Sequence, residues 1–136
     1  MYKTILVPVD LAEPAASEGA LATAARLADA GDGTIRLIYV RPLMPVTYME
    51  YVPASFEQDQ QREAEEKLGD IAASVPLPKE RVSAVVRLGS IYHEVLAEAE
   101  DAGADLVVVG SHRPTMATYL LGSNATTIVR LSLIHI

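Results

Sequence analysis

Two glycines late in the chain, Gly110 and Gly122, stand where a backbone could hold an anion. Leu106 to Val109 is a continuous apolar run that stops at Gly110, the pattern of a strand buried on both faces. A polar loop follows, in which Pro114 forbids regular pairing. Gly122-Ser123-Asn124 then opens a segment whose Ala125, Ile128 and Val129 recur at helical spacing, which predicts a final helix. A glycine at a strand's carboxyl end lets a ligand approach the main chain. The free N–H groups of Gly122, Ser123, Asn124 and Ala125 could hold phosphate oxygens, with the helix dipole adding ~0.3–1 kcal/mol for an exposed charge. Such a pair is more often only a capped helix start, and the residues alone leave both meanings open.

Other chemistry has less support. No Gly-x4-Gly-Lys-Ser/Thr loop occurs, so the lysine-and-magnesium arrangement of the classical NTP hydrolases is missing. There is no cysteine and no Gly-x-Ser-x-Gly elbow. The three histidines are scattered, which argues against zinc. A hydrolase or transferase reading would need His112 within hydrogen-bond reach of Ser123. His93 and Glu94 have no companions at ligand spacing and read as ordinary residues of a first helical turn. No catalytic and no metal residue is therefore assigned.

The elements that must carry these residues follow from periodicity. Thr4 to Asp10 is a β-branched apolar run, hence a buried first strand, with Pro8 near its end and Asp10 at its carboxyl tip. Ligands of an open parallel sheet bind at that edge, although Asp10 could equally just accept N–H bonds from the following loop. Pro14 to Ala30 reads as a helix with Ala16, Ala20, Ala24, Leu27 and Ala28 on one face. Gly31-Asp32-Gly33 ends it and is a turn, because its Gly-x-Gly follows a helix instead of a strand. Thr34 to Val40 is the second strand. Arg41 to Phe56 is an irregular proline-containing stretch with Tyr48, Met49 and Tyr51, a candidate lid or partner surface. Glu57 to Val75 is a charged amphipathic helix, Arg81 to Leu88 a third strand nearer an edge, and Ile91 to Ala102 a helix with Ser90 as its N-cap and Gly103 at its close. The order β-α-β-α-β-α-β-α predicts an α/β, open, doubly wound parallel sheet of Rossmann-like type.

On these residues the chain resembles the universal stress protein family, small adenine-nucleotide-binding α/β proteins with an adenine nucleotide alpha hydrolase-like fold. That family carries Gly-x2-Gly-x9-Gly-Ser/Thr after its fourth strand and Val-Pro-Val-Asp or similar in its first; here Val7-Pro8-Val9-Asp10, Gly110 and Gly122-Ser123 match. The middle glycine is replaced by Arg113 and the loop is one residue shorter. Gly-Ser-His-Arg-Pro with Tyr-Leu-Leu-Gly-Ser-Asn-Ala is similar to a subgroup of small bacterial members. The resemblance, covering roughly residues 2–130, implies ATP or a related adenine nucleotide, with Mg2+ as its companion ion. It implies Pro8 and Asp10 on the adenosine side, backbone contacts from Val40 to the adenine edge, and Val109, Gly110, Gly122, Ser123, Asn124 and Ala125 along the phosphates. A side chain at Arg113 could obstruct the phosphates, or its guanidinium could hold them bidentately, and the persistence of the other positions favours the second. The implied role is a stress-response regulator whose nucleotide occupancy shifts partner-competent states, as a homodimer with a protein partner the sequence does not name. A nucleotide-free interaction module on the same fold, or a slow ATP hydrolase, are the alternatives.

Length and composition fit this. The 136 residues are enough for one domain and one core, and half of them are hydrophobic with only 5% aromatic, so Val, Ile, Leu and Ala must fill it. The formal charge of −7 argues against nucleic acid or an anionic membrane as a general partner. No run reaches the ~18 apolar residues of a membrane span, and Met1-Tyr2-Lys3-Thr4 enters a strand without a signal-peptide pattern, so a cytoplasmic, cysteine-free protein is expected. Residues 131–136 are atypical: the family continues through a linker into a fifth strand, and here Leu133 to Ile136 could pair only with almost no connection. A truncated or foreign tail would leave the fourth strand's outer edge poorly covered. Light scattering is then expected to show association that grows with concentration, and a stable dimer at every concentration would contradict it.

Overall fold

A computed structural model describes residues 2–43 and 55–109. The elements run β1 (Thr4–Pro8), α1 (Glu18–Ala30), β2 (Thr34–Arg41), α2 (Phe56–Ala73), β3 (Val82–Leu88), α3 (Ile91–Asp101) and β4 (Leu106–Val107), with short 3-10 turns at Pro14–Ser17 and Lys79–Arg81. The sheet order is β3-β2-β1-β4 and every pairing is parallel. The expected final helix, the loop 44–54 and the tail 131–136 lie outside the described residues.

Alternation along the strands divides the core into two layers. Ile5, Val7 and Val9 of β1 and its extension, with Ile35 and Leu37 of β2, pack under α1 and α2, where Ala20, Ala24, Ala25, Ala28 and Leu68 are buried. Leu6, Ile38, Val40, Val107 and Val109 face the other way, under α3 and its Val95. Helices thus cover both faces, the reason these strands read as nearly unbroken apolar runs. β3 is at an edge of the sheet and is only half-buried, in line with the expected third strand nearer an edge.

Three details differ from the sequence reading. The α-helix begins at Glu18, because the first residues after Pro14 form a tighter 3-10 turn. Ser90 has the extended backbone of an N-cap but its hydroxyl makes no capping bond; its carbonyl accepts the Glu94 amide instead. β4 pairs only through Val107, although Val108 and Val109 remain buried. Pro8 explains that early stop. Even-numbered β1 residues present their peptide groups to β4, as Leu6 does in accepting the Val108 amide, and proline has no N–H to extend the ladder.

The turn after α1 shows why a glycine is needed. Asp32 takes the left-handed conformation (φ 53°), and the Gly33 N–H donates to Ala28 O at 2.8 Å, closing the helix. Arg81 adds a charged cap, donating to Ala28 O and Gly33 O, each at 2.9 Å. Gly33 lies so close to β1 that a Cβ there would be 2.5 Å from Tyr2 O. Gly33→Ala is expected to destabilise the fold by about 1–3 kcal/mol through this forced shift. Urea denaturation checks it, and an unchanged midpoint would mean that the amino-terminal strand yields without cost.

Candidate functional site

β1 is the point where the sheet order reverses: the chain leaves it toward β2 and β3, then crosses back to place β4 on its other side. Ligands of open α/β sheets bind outside the strands' carboxyl ends at such a point. Pro8 closes β1, with Val9 and Asp10 following, while Val109 is the last described residue of the neighbouring run.

Asp10 is held by its own loop. Its Oδ1 accepts the Ala12 N–H at 2.9 Å, an Asx-turn, and its N–H donates to the Ser17 hydroxyl at 3.3 Å. The loop-bonding role foreseen for Asp10 is therefore present. No described residue donates to Oδ2, which leaves that half-buried oxygen an acceptor for a ligand hydroxyl. Ser17, buried and bonded back to Asp10, was missed in the sequence because it stands inside an alanine-rich helical pattern.

Val40 contributes through its main chain. Its side chain is buried in the α3-side core. Val9 N–H donates to Ile38 O, so even-numbered β2 residues turn their peptide groups toward β1, while Arg41 O accepts the Gly89 N–H on the β3 side. The β1–β2 ladder ends at Pro8 opposite Ile38. The N–H and C=O of Val40 thus extend past the end of β1, on the same side as Asp10.

Pro8, Asp10, Val40 and Val109 are brought to one edge by this topology. Gly110, Arg113, Gly122, Ser123, Asn124 and Ala125 lie outside the described residues, as does His112. Among the described residues no cluster of His, Asp or Glu could hold a metal ion, and no helix is long and apolar enough to cross a membrane. His93 is exposed on the first turn of α3.

A recess of about 470 Å3 opens beside this edge, on the α2 side, lined among others by Leu11, Tyr39, Arg41, Phe56 and Lys67. Its cations are already engaged. Arg41 donates to Gln61 and Glu57, each at 3.1 Å, and Lys67 pairs with Glu63 at 3.0 Å. The recess therefore offers an anion no uncommitted positive charge.

The strongest charge network sits under α3. Glu94, Glu98 and Asp101 recur at i, i+4 and i+7, and all three meet the guanidinium of Arg87 on β3, at 2.8, 2.7 and 3.4 Å. Glu98, almost fully buried, also pairs with Arg36 of β2. The carboxylates of Glu94 and then Glu98 push the Arg87 guanidinium further up from its already basic range, so it acts as a fixed positive charge. The signal was present in the sequence: an acidic stripe at helical spacing, with arginines at Arg36 and Arg87 in otherwise apolar strands.

The fold defines an α/β protein of the open, parallel-sheet, doubly wound class. The Universal stress protein family model matches residues 1–134, and the chain belongs to that family. It is 41% identical over 133 residues to universal stress protein G of Escherichia coli O157:H7, covering 96% of this chain and 93% of that protein. Among solved structures, a universal stress family protein from Burkholderia pseudomallei aligns with a TM-score of 0.65 at 25% identity, covering 88% of this chain and 87% of that one. A universal stress protein crystallised in complex with cAMP has the same fold, with a TM-score of 0.51 at 23% identity, covering 96% and 90%.

Proposed function

We propose that this universal stress protein binds ATP or a related adenine nucleotide at the carboxyl edge of its sheet, between the ends of β1 and β4. The observation that carries the reading is the pairing of groups at that edge. The N–H and C=O of Val40 face the β1 side beyond the end of the ladder, where Asp10 follows β1 with an Oδ2 that no described residue donates to. Adenine presents an amino donor beside a ring-nitrogen acceptor, which complements a backbone C=O and N–H, and a ribose hydroxyl suits a carboxylate oxygen. Universal stress proteins often bind adenine nucleotides, and one is solved with cAMP.

The phosphates would run along Val109 and Gly110 toward the backbone of Gly122, Ser123, Asn124 and Ala125, with Arg113 supplying a guanidinium in place of the family's middle glycine. Mg2+ would arrive with the nucleotide, carried by its phosphates. The proposed role is binding without efficient turnover, since the sequence carries no Gly-x4-Gly-Lys-Ser/Thr loop. Occupancy would shift the protein between states of different partner affinity in a stress response, in a cytoplasmic homodimer.

Calorimetric titration with ATP and magnesium tests the reading. The wild type is expected to give a saturable heat, and Gly122→Val or Asp10→Ala to weaken binding tenfold or more, which is about 1.4 kcal/mol. An absence of binding at millimolar ATP would contradict it and favour a nucleotide-free interaction module.

A further inference from the structure

The last residue of β2, next to Val40, is gripped twice, by its side chain on one face of the sheet and by its main chain toward β3. On one face the Arg41 guanidinium reaches Glu57 and Gln61 on the first turns of α2. In the plane of the sheet, the Arg41 carbonyl accepts the Gly89 N–H at 3.0 Å, at the turn between β3 and α3. That turn depends on glycine. Gly89 has φ +147°, a conformation other residues rarely adopt, and a Cβ there would be 3.0 Å from both Cγ and Oε2 of Glu94. The Glu94 side chain therefore lies directly against the Gly89 backbone. It is fixed there by Arg87, whose Nε donates to Glu94 Oε1 at 2.8 Å and which stands opposite Val40 in the β2–β3 register.

We infer that Glu94 is a positioning residue for the nucleotide site, bracing the Gly89 turn so that Arg41, and with it the Val40 peptide groups, hold their direction toward the crevice. This rests on the adenine-binding reading above and adds a base-specificity device to it. Glu94 touches no ligand atom. Arg87 orients its carboxylate, the carboxylate backs Gly89, and Gly89 N–H fixes the end of β2. A backbone hydrogen-bond pair selects adenine over guanine only while it is held at the correct angle, because guanine offers the opposite order of donor and acceptor.

The test compares wild type, Glu94→Ala, Glu94→Gln and Arg36→Gln. Each is titrated with ATP, GTP and inorganic tripolyphosphate, and exchange of the Gly89 amide is followed in the nucleotide-free protein. Glu94→Ala is expected to lose about tenfold in ATP affinity, to narrow the ATP-to-GTP preference, to leave tripolyphosphate binding unchanged and to speed Gly89 exchange. Glu94→Gln, which keeps an acceptor for Arg87, should recover most of both effects. If Glu94→Ala fails to fold, Glu94→Asp, titrated the same way and one methylene too short to back Gly89, carries the test. It should show the same narrowed preference and faster Gly89 exchange, and an unchanged preference overturns the inference. Arg36→Gln breaks the Glu98 pair without touching Gly89, and should lower the unfolding midpoint with the nucleotide preference intact. A wild-type preference preserved in Glu94→Ala overturns the inference and leaves the nucleotide reading standing. A wild type that binds no ATP overturns both, and unchanged Gly89 exchange in Glu94→Ala removes the brace whatever the nucleotide does.

Discussion

The structure depends on β1 being paired on both sides and covered on both faces, yet ending at a proline. A strand of five residues with fully buried Ile5, Leu6 and Val7 cannot leave peptide groups unpaired, since each would carry a desolvation cost of about 1–3 kcal/mol. β2 and β4 supply the partners, and helices must then close both faces. Pro8 ends this demand abruptly by withholding an N–H from the β4 side. Beyond it β2 keeps the Val40 peptide groups aimed at a strand that is no longer there. On the proposed reading, that mismatch between a finished central strand and its longer β2 neighbour is where a ligand would be read by main chain.

The two faces of the sheet are held by different physics. Under α1 and α2 the contact is apolar, built from small alanines that let α1 lie close to β1 and β2. Under α3 the apolar contact is smaller and is supplemented by Arg36 and Arg87 against three carboxylates. The arginines are about a quarter to a third exposed, so water screens them and the network's net gain is modest. Its value is directional. Glu98 is nearly buried and tolerates α3 only where both guanidinia can reach it, and Glu94 then falls against Gly89. A helix seated by charges in register sets the end of β2 more sharply than an apolar face would.

Much of this was legible from the sequence. Unbroken β-branched runs identified strands buried on both faces, and alternation with helical spacing gave their parallel order of succession. Gly31-Asp32-Gly33 was correctly separated from a dinucleotide motif by what precedes it. Asp10 was identified at the strand tip, but whether it would serve its loop or a ligand depended on which of its oxygens the loop takes, which only the Ala12 bond decides. Ser90 was placed correctly as the N-cap, but a serine at the right position carries no information on where its hydroxyl turns, and here it makes no capping bond. The direction of the Val40 peptide groups was invisible, since it follows from strand register. Glu94 reads in the sequence as an ordinary first-turn residue because its partner Arg87 lies on a different element.

The central claim is that a ligand meets this protein at the end of β1, through main-chain groups that outlast the strand. The most direct measurement is an amide NMR spectrum of labelled protein with and without ATP and magnesium. The amides of Asp10, Val40 and Val109 should shift, while those of Thr4, Thr34 and Val82 at the opposite edge stay in place. Shifts confined to that opposite edge or to the recess around Phe56 and Lys67, or no shift at saturating ATP, would contradict the account.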